Sequence, residues 1–436
     1  DDVFFAIKGK KNDGNKFIDE AFKNKASLAI VNKINKSNKI LNQIKVKDTL
    51  KFLTESSKIY RKNIDTKIIA ITGSCGKTTL KELLGSSLKK YFRTSISPKS
   101  YNNKYGVPLS LFNINKNHKF GVFEVGMDRK GEINNLTELI QPDFGIITNV
   151  SYAHIKNFKN LKQIALAKSE IMDHMEPRST IILNKDDKFY SFFKKKAFKK
   201  KIKILSFSMK KKADSYLKKI VKKKNFSQVK VIINNKPEIF KVKNNMISYI
   251  PNILIVALLI SILFKNKKIN KNIFYNFKTP SGRGDSFKLR TKNKLINFID
   301  ESYNSNPLSL KSAIKNFDFI DVKDKRKYLI LGDMLELGKH SKNLHKNLGN
   351  LINSSKINSV SVYGKDIRET YKKINYKKKG LILKEKSQII DLIKNNLNNN
   401  DYLMIKGSNS TGLHKVASNL KQRSSNVIWT INKLCR

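Results

Sequence analysis

Residues 71–82 read ITGSCGKTTLKE, and the fold follows from what surrounds them. Upstream, residues 67–72 form an apolar run that predicts a buried strand; downstream, Leu80, Leu83, Leu84 and Leu88 recur on one face of a predicted helix. Strand, glycine turn and helix together make a frame for holding phosphate. Gly73 and Gly76 let backbone amides turn inward as an anion nest, Lys77 can reach the outer phosphates, and the Thr78 hydroxyl can sit on Mg²⁺. A nucleoside triphosphate, ATP or GTP, is the natural ligand. The loop departs from the usual GxxxxGK[ST] pattern in having Ile71 where the first glycine would stand.

Working outward, residues 120–125, 144–149 and 180–183 predict further strands, each followed by a polar or helical stretch, which argues for a mostly parallel sheet. The lysine-rich stretch 194–224 is weakly patterned and is expected to be a solvated surface excursion. After residues 279–283 a third block begins. Strand candidates at 295–300, 328–331, 359–363, 380–383 and 402–405 alternate with helical segments such as 308–317 and 388–397, a Rossmann-like alternation. No GxGxxG accompanies it, so a dinucleotide cofactor is not expected. Residues 1–65 mix short apolar runs such as 28–31 with polar turns such as 12–15 and read as a small α/β module. There is no repeat of fixed period. The expected organisation is therefore α/β throughout, with segments 1–66, 67–284 and 285–436, in keeping with roughly three domains for a chain of 436 residues.

The chain carries 89 Lys plus Arg against 34 Asp plus Glu, a formal net charge of +55. Such an excess raises the question of a nucleic-acid or membrane partner. The charges are spread from end to end as Lys among Asn and Ile, without a local patch interleaved with aromatics, so neither nucleic acid nor membrane is expected as the partner. The field still suits polyanionic substrates such as nucleotide diphosphates. Two cysteines, Cys75 and Cys435, make no disulfide framework and fit a reducing compartment, the cytoplasm. The apolar run 253–264 falls short of the roughly 18 residues that cross a bilayer and reads as a buried helix. No charged-then-apolar leader is seen. The chain opens on Asp1, and a short upstream stretch is expected to be missing.

Two more candidates lie just past predicted strands, where ligands of open α/β sheets bind. Glu124 in FEVGMDRKGEI could ligate Mg²⁺, a hard cation that prefers oxygen. His154 follows the strand ending near Asn149 in ITNVSYAHI. Taken alone, each is more commonly an ordinary polar residue at a strand end; together with the glycine loop they form a site.

In order along the chain stand AITGSCGKTTLKE, SYNNKYGVPLSL, FEVGMDRKGEINNL, ITNVSYAHI, ALAKSEI, ILNKDD, PSGRGD, FIDESYNSNP, LGDMLELG and MIKGS. With these runs the sequence resembles the Mur ligase family along its length. DESYNSNP and GDMLELG point to the member that adds D-alanyl-D-alanine to UDP-N-acetylmuramoyl-tripeptide, and the Asp-Asn-Pro-Arg signature of the diamino-acid-adding relative is absent. The resemblance implies a three-domain architecture with a central P-loop ATPase-like parallel sheet and a C-terminal Rossmann-like domain. It implies that Gly73, Ser74, Cys75, Gly76, Lys77, Thr78 and Thr79 hold the ATP phosphates, with Thr78 and Glu124 on Mg²⁺. It further implies that His154 helps place a second Mg²⁺ and that Lys168 is the lysine carbamylated in this family. Asn252 would approach the adenine, Arg283 a phosphate, and Asp300, Tyr303 and Asn306 the nucleotide from the third domain. Asn102 and Asn103 would face the UDP-sugar.

Departures from the family pattern are Ser248 and Tyr249 where His and Asn usually precede Asn252, Glu301 in place of Asp, and Asn15 in FFAIKGKKNDGNKF where His is common. The Ser-Arg element that touches uridine is not in the chain. The implied chemistry is attack of a substrate carboxylate on the γ-phosphoryl group, then displacement of phosphate by an amine, with closure hinged near Gly282 and Gly284. A monomer is expected. Alternatives are another Mur-type amino-acid ligase, a folylpolyglutamate synthase, or, in a different class, a basic nucleotide-regulated nucleic-acid-binding protein with salt-sensitive retention of DNA or RNA.

Overall fold

The computed structural model describes residues 2–9, 12–35, 42–264, 268–291, 294–322 and 324–434, with side chains through 422 and at 424. Cys435, Asp1 and two lysines of the FFAIKGKKNDGNKF run, Lys10 and Lys11, lie outside the described residues. The strands fall into three sheets. The first holds β1 (Asp2–Phe5), β2 (Ala26–Val31) and β3 (Gln43–Lys45), all parallel, over a small core of Ala6, Ile18, Ala29 and Val31. A helix, Thr49–Lys62, leads away from it; Asp48 caps that helix by accepting from the amides of Leu50 and Lys51 at 2.9 Å.

The second sheet is built from β4 (Lys67–Thr72), β5 (Thr94–Ile96), β6 (Phe120–Glu124), β7 (Phe144–Ile147), β8 (Thr180–Asn184), β9 (Lys203–Ser208), β10 (Ser215–Lys222), β11 (Ser227–Ile233) and β12 (Lys236–Val242). Its order is β12-β11-β10-β9-β8-β7-β4-β6-β5. From β5 to β10 every pairing is parallel, and β10, β11 and β12 then form an antiparallel edge. The chain crosses from one side of β4 to the other between β6 and β7, so the carboxyl end of β4 is the topological switch point where ligands of open sheets bind.

The lysine-rich stretch 194–224 is not the surface excursion its composition predicts. It includes the end of a helix, Tyr190–Lys199, and the strands β9 and β10. The physical reason is that an antiparallel edge exposes one face to water, and lysines on that face hide the alternation. In β11 the buried positions, Ser227, Val229, Val231 and Ile233, still alternate with more exposed ones.

The apolar segment reads as a buried helix in the structure too. Pro251 opens the helix Ile250–Leu263, and residues 253–260 are each 0% exposed. They share one apolar cluster with Leu80, Leu83, Leu84 and Leu88 of the helix Lys77–Leu88. Together with the turn Asn244–Tyr249 the segment spans 20 residues and by length and composition could cross a membrane, longer than the 253–264 run alone.

The third sheet contains β13 (Asp285–Arg290), β14 (Leu295–Glu301), β15 (Lys327–Gly332), β16 (Ser359–Tyr363), β17 (Lys379–Leu383) and β18 (Tyr402–Lys406), in the order β13-β14-β18-β15-β16-β17. All neighbours but the β13–β14 pair run parallel. Asn306 caps the helix Pro307–Phe319 that follows β14.

Candidate active site

Gly73 leaves β4 at φ +147°, where a Cβ would stand 1.9 Å from Thr148 Oγ1, and Gly76 takes φ +82° immediately before the helix Lys77–Leu88. No side chain fits the first position, and the second is a left-handed backbone that glycine adopts without strain. The loop hangs on the segment that follows β7. The amides of Ser74 and Cys75 donate to the backbone and side-chain oxygens of Asn149, each at 3.0 Å, and Thr148 Oγ1 donates to the Cys75 carbonyl at 2.7 Å. A 12-residue helix therefore presents its unpaired first amides and the positive end of its dipole at the switch point. Lys77 curls back over the loop, its Nζ donating to the Gly73 carbonyl at 2.9 Å.

Glu124 ends β6 and is 2% exposed. Its Oε2 accepts from Thr78 Oγ1 at 2.5 Å and its Oε1 from Asn102 Nδ2 at 2.7 Å. Asn103 is exposed at the cavity edge, its Oδ1 accepting from the amides of Tyr105 and Gly106. Lys168 is 3% exposed on the helix Leu161–Ser169 and has no hydrogen-bond or ion-pair partner among the described residues. Burial, with the nearby positive charge of Lys77 adding to it, holds its ammonium well below the ordinary lysine range, and the Cys75 thiol opposes this only weakly. Burial in turn pushes the Cys75 thiol up.

His154 sits at φ +56°, and its Nδ1 lies 2.9 Å from Asp128 Oδ1 and 2.6 Å from Glu336 Oε2. Both carboxylates stand at ion-pairing distance from this nitrogen, and contact with His154 holds the Glu336 carboxyl below the ordinary carboxylate range. No hydrogen bond or ion pair joins His154 to Glu124 or Lys168 among the described residues, although all line one cavity of about 1080 Å³.

The third sheet closes the other side of that cavity. Asn306 Nδ2 donates to the Ser74 carbonyl at 3.2 Å, and Cys75 Sγ donates to Asn306 Oδ1 at 3.0 Å. Arg283 lies over the Tyr303 ring at 4.0 Å; Tyr303 Oη and Arg283 Nη2 both donate to Ser100 Oγ, at 2.9 and 3.3 Å. Asp300 is 3% exposed and faces its own strand end, Oδ1 accepting from the amide and hydroxyl of Ser302, and burial raises its carboxyl. Asn252, 7% exposed, lines the cavity beside the glycine loop.

The departures have structural uses. Tyr249 donates its hydroxyl to the Arg283 carbonyl and packs where a side chain on Gly284, at φ +89°, would have to go. Glu301 reaches buried Lys406, 3.3 Å from its Nζ. Asn15 donates to Asp13 and Asn32, each at 2.7 Å, within the first module. Ser100, Asp128 and Glu336 were not singled out from the sequence. Each lies inside a motif run quoted for other residues, and Asp128 and Glu336 follow the carboxyl ends of β6 and β15, the signal that could have found them.

Residues 71–260 match the Mur ligase middle domain and residues 287–409 the Mur ligase glutamate ligase domain. A UDP-N-acetylmuramoyl-tripeptide--D-alanyl-D-alanine ligase of Buchnera aphidicola from Acyrthosiphon pisum is 34% identical, covering 97% of this chain and 91% of the relative. The enzyme of the same name from Haemophilus influenzae is 28% identical over 97% of this chain and 91% of the relative. The crystal structure of MurF from Acinetobacter baumannii superposes with a TM-score of 0.81 at 25% identity, covering 97% of this chain and 90% of that one. The chain belongs to the Mur ligase family.

Proposed function

We infer that this chain joins D-alanyl-D-alanine to the free carboxylate of UDP-N-acetylmuramoyl-tripeptide at the expense of ATP, a step of peptidoglycan precursor synthesis in the cytoplasm. The observation that carries this reading is the meeting of a phosphate loop with a buried carboxylate, Thr78 against Glu124, under a roof of Arg283, Tyr303 and Asn306 from the third sheet. Full-length likeness to relatives of that name supports the acceptor and the UDP-peptide.

Loop residues Gly73, Ser74, Cys75, Gly76, Lys77, Thr78 and Thr79 hold the triphosphate, with the Lys77 ammonium free to leave the Gly73 carbonyl for the outer phosphates. Asn252 lies against the adenine, and Asp300, Tyr303, Asn306 and Arg283 meet the nucleotide from the third sheet. Asn102 and Asn103 face the UDP-sugar. The donor set fits a hard cation: a hydroxyl and a buried carboxylate side by side at Thr78 and Glu124, with His154 and a carbamylated Lys168 for a second ion. When bound, Mg²⁺ supplies charge neutralisation on the phosphoryl oxygens. Lys168 suits carbamylation because burial makes its amine give up a proton more readily, and the product is a carboxylate-like group facing the Lys77 charge.

The protein's own part is positioning. The substrate carboxylate is held in line with the γ-phosphorus and takes that phosphoryl group as an acyl phosphate while ADP leaves; the acceptor amine then displaces inorganic phosphate and loses a proton, with Lys77 stabilising the charge that develops at each stage. The segments 1–66, 67–284 and 285–436 are proposed as the units that move, with Gly282 and Gly284 as the hinge; both carry positive φ, and a side chain on either would collide with Tyr303 or Tyr249. The test is phosphate release by purified protein given ATP, Mg²⁺, UDP-tripeptide and a panel of acceptor amines. Release that depends on D-alanyl-D-alanine is expected; release with glutamate or single amino acids instead would move the chain to another branch of the family.

A further inference from the structure

Residues 282–285 link the central sheet to the third, and their own hydrogen bonds tie them to the third. The Gly284 amide donates to the Asp300 carbonyl at 2.7 Å, the Tyr303 amide to the Gly282 carbonyl at 3.0 Å, and the Gly282 amide to Asp285 Oδ1 at 2.7 Å. Among the described residues two hydrogen bonds reach this link from the central sheet's side, and both involve Arg283. Tyr249 Oη donates to the Arg283 carbonyl, and Arg283 Nη2 donates to Ser100 Oγ at 3.3 Å.

The two bonds are not equivalent. The one to Ser100 is long, and a guanidinium that turns to a phosphate has to release it. The Tyr303 ring against that guanidinium, at 4.0 Å, belongs to the third sheet's side and travels with the link. Tyr249 holds only the backbone carbonyl, so its bond persists while the Arg283 side chain swings.

Tyr249 is a firm anchor for such a bond. It stands immediately before the buried helix Ile250–Leu263, and its side chain packs on the same apolar cluster as that helix. Anchorage in a close-packed core leaves the hydroxyl little freedom. A Cβ on Gly284 would stand 2.3 Å from that hydroxyl, so the approach requires glycine there. Burial, with the Glu301 charge adding to it, pushes the phenol up, so it stays a donor well above neutral pH. Because the position departs from the family pattern, this contact is a property of the present chain.

We propose that Tyr249 is a positioning residue for nucleotide binding: by holding the Arg283 backbone from the central sheet's side, it keeps the guanidinium at the cavity before the triphosphate arrives. This rests on the ligase reading above, in which Arg283 meets the nucleotide. A contact already made in the free protein lowers the ordering cost of binding. The rival is direct contact between the nucleotide and the Tyr249 side chain, which also lines the cavity.

The test is a double-mutant cycle on the full chain: wild type, Tyr249→Phe, Arg283→Ala and the pair, each titrated calorimetrically with adenylyl imidodiphosphate and Mg²⁺. Phenylalanine keeps the ring and removes only the hydroxyl; alanine at 283 keeps the carbonyl and removes only the guanidinium. Tyr249→Phe is expected to weaken binding about threefold to tenfold, the range of one hydrogen bond, and to have no further effect once Arg283 is alanine. Without nucleotide, amide hydrogen exchange in the peptide spanning residues 280–287 is expected to be faster in Tyr249→Phe than in wild type. An affinity loss of the same size in both backgrounds would assign the hydroxyl to the nucleotide itself and overturn the proposal. So would a Tyr249→Phe variant whose unfolding midpoint falls while its nucleotide affinity is unchanged. Nucleotide binding by the wild type without dipeptide-dependent phosphate release would count against the ligase reading and leave the cycle standing, whereas a wild type that binds no nucleotide would overturn both.

Discussion

Asn306 serves two structures at once: its Oδ1 accepts from the Ser309 amide at 2.9 Å, capping the helix Pro307–Phe319, while its Nδ2 donates to the Ser74 carbonyl in the phosphate loop at 3.2 Å. A residue that follows β14 of the third sheet thus holds the glycine loop proposed to bind the triphosphate. Asn306→Asp keeps the cap and loses the donor, whereas Asn306→Ala loses both. The alanine variant is expected to lose about 1 kcal/mol of stability, and both variants are expected to raise KM for ATP. Denaturant unfolding combined with initial-rate kinetics separates the two effects.

Among the described residues the Lys77 ammonium makes one hydrogen bond, to the Gly73 carbonyl. Lys77→Ala should therefore leave the melting temperature nearly unchanged and lower turnover by about a hundredfold to a thousandfold or more, the usual cost of losing one charge aimed at a transition state. Unchanged turnover would remove the lysine from the chemistry.

Lys168 links pH to stability. Its ammonium is held well below the ordinary lysine range by burial, so between its folded value and about 10.5 the unfolded chain binds a proton that the folded chain does not. That difference makes stability rise with pH across this window and places the full penalty below it. Lys168→Met should be more stable than wild type at neutral pH in CO₂-free buffer, with a shallower rise toward pH 10. Urea midpoints at several pH values read this out, and adding bicarbonate to the wild type should narrow the gap at neutral pH.

Cys75 is held by Asn306 and its thiol is pushed up by burial, so the reactive thiolate is scarce at neutral pH. Alkylation by iodoacetamide, quantified by mass spectrometry at this peptide, should be slow at pH 7, speed up above the ordinary thiol range, and slow further with ATP bound.

His345 is 0% exposed and neutral in its hydrogen bonding: Nε2 accepts from the Met334 amide and Nδ1 donates to the Ser341 carbonyl at 2.8 Å. His345→Ala strands both groups in the interior. A loss of about 2 kcal/mol or more is expected, partly restored in His345→Gln, which can accept from Met334. Equal unfolding midpoints for the alanine variant and wild type would contradict the pairing.

The phosphate loop was legible because its chemistry is local: a strand end, two glycines, a lysine and a threonine make the cradle with their immediate neighbours. Glu124 and His154 could be read because they follow strand ends, and Lys168 only through the family likeness, since nothing in a single lysine within a helical segment says that it is buried. The hairpin edge β10 to β12 was missed because lysines on its wet face masked a period of two. Ser100 meets Tyr303 across 203 residues, and Glu336 meets His154 from a different sheet. Local pattern cannot announce such contacts, because side chains far apart in sequence meet only once the layers that carry them have packed together. The sequence by itself determined that a strand end, two glycines, a lysine and a threonine form one loop; the closing of the third sheet on the second decided which carboxylates, rings and amides stand around it, since that depends on packing surfaces no single segment contains.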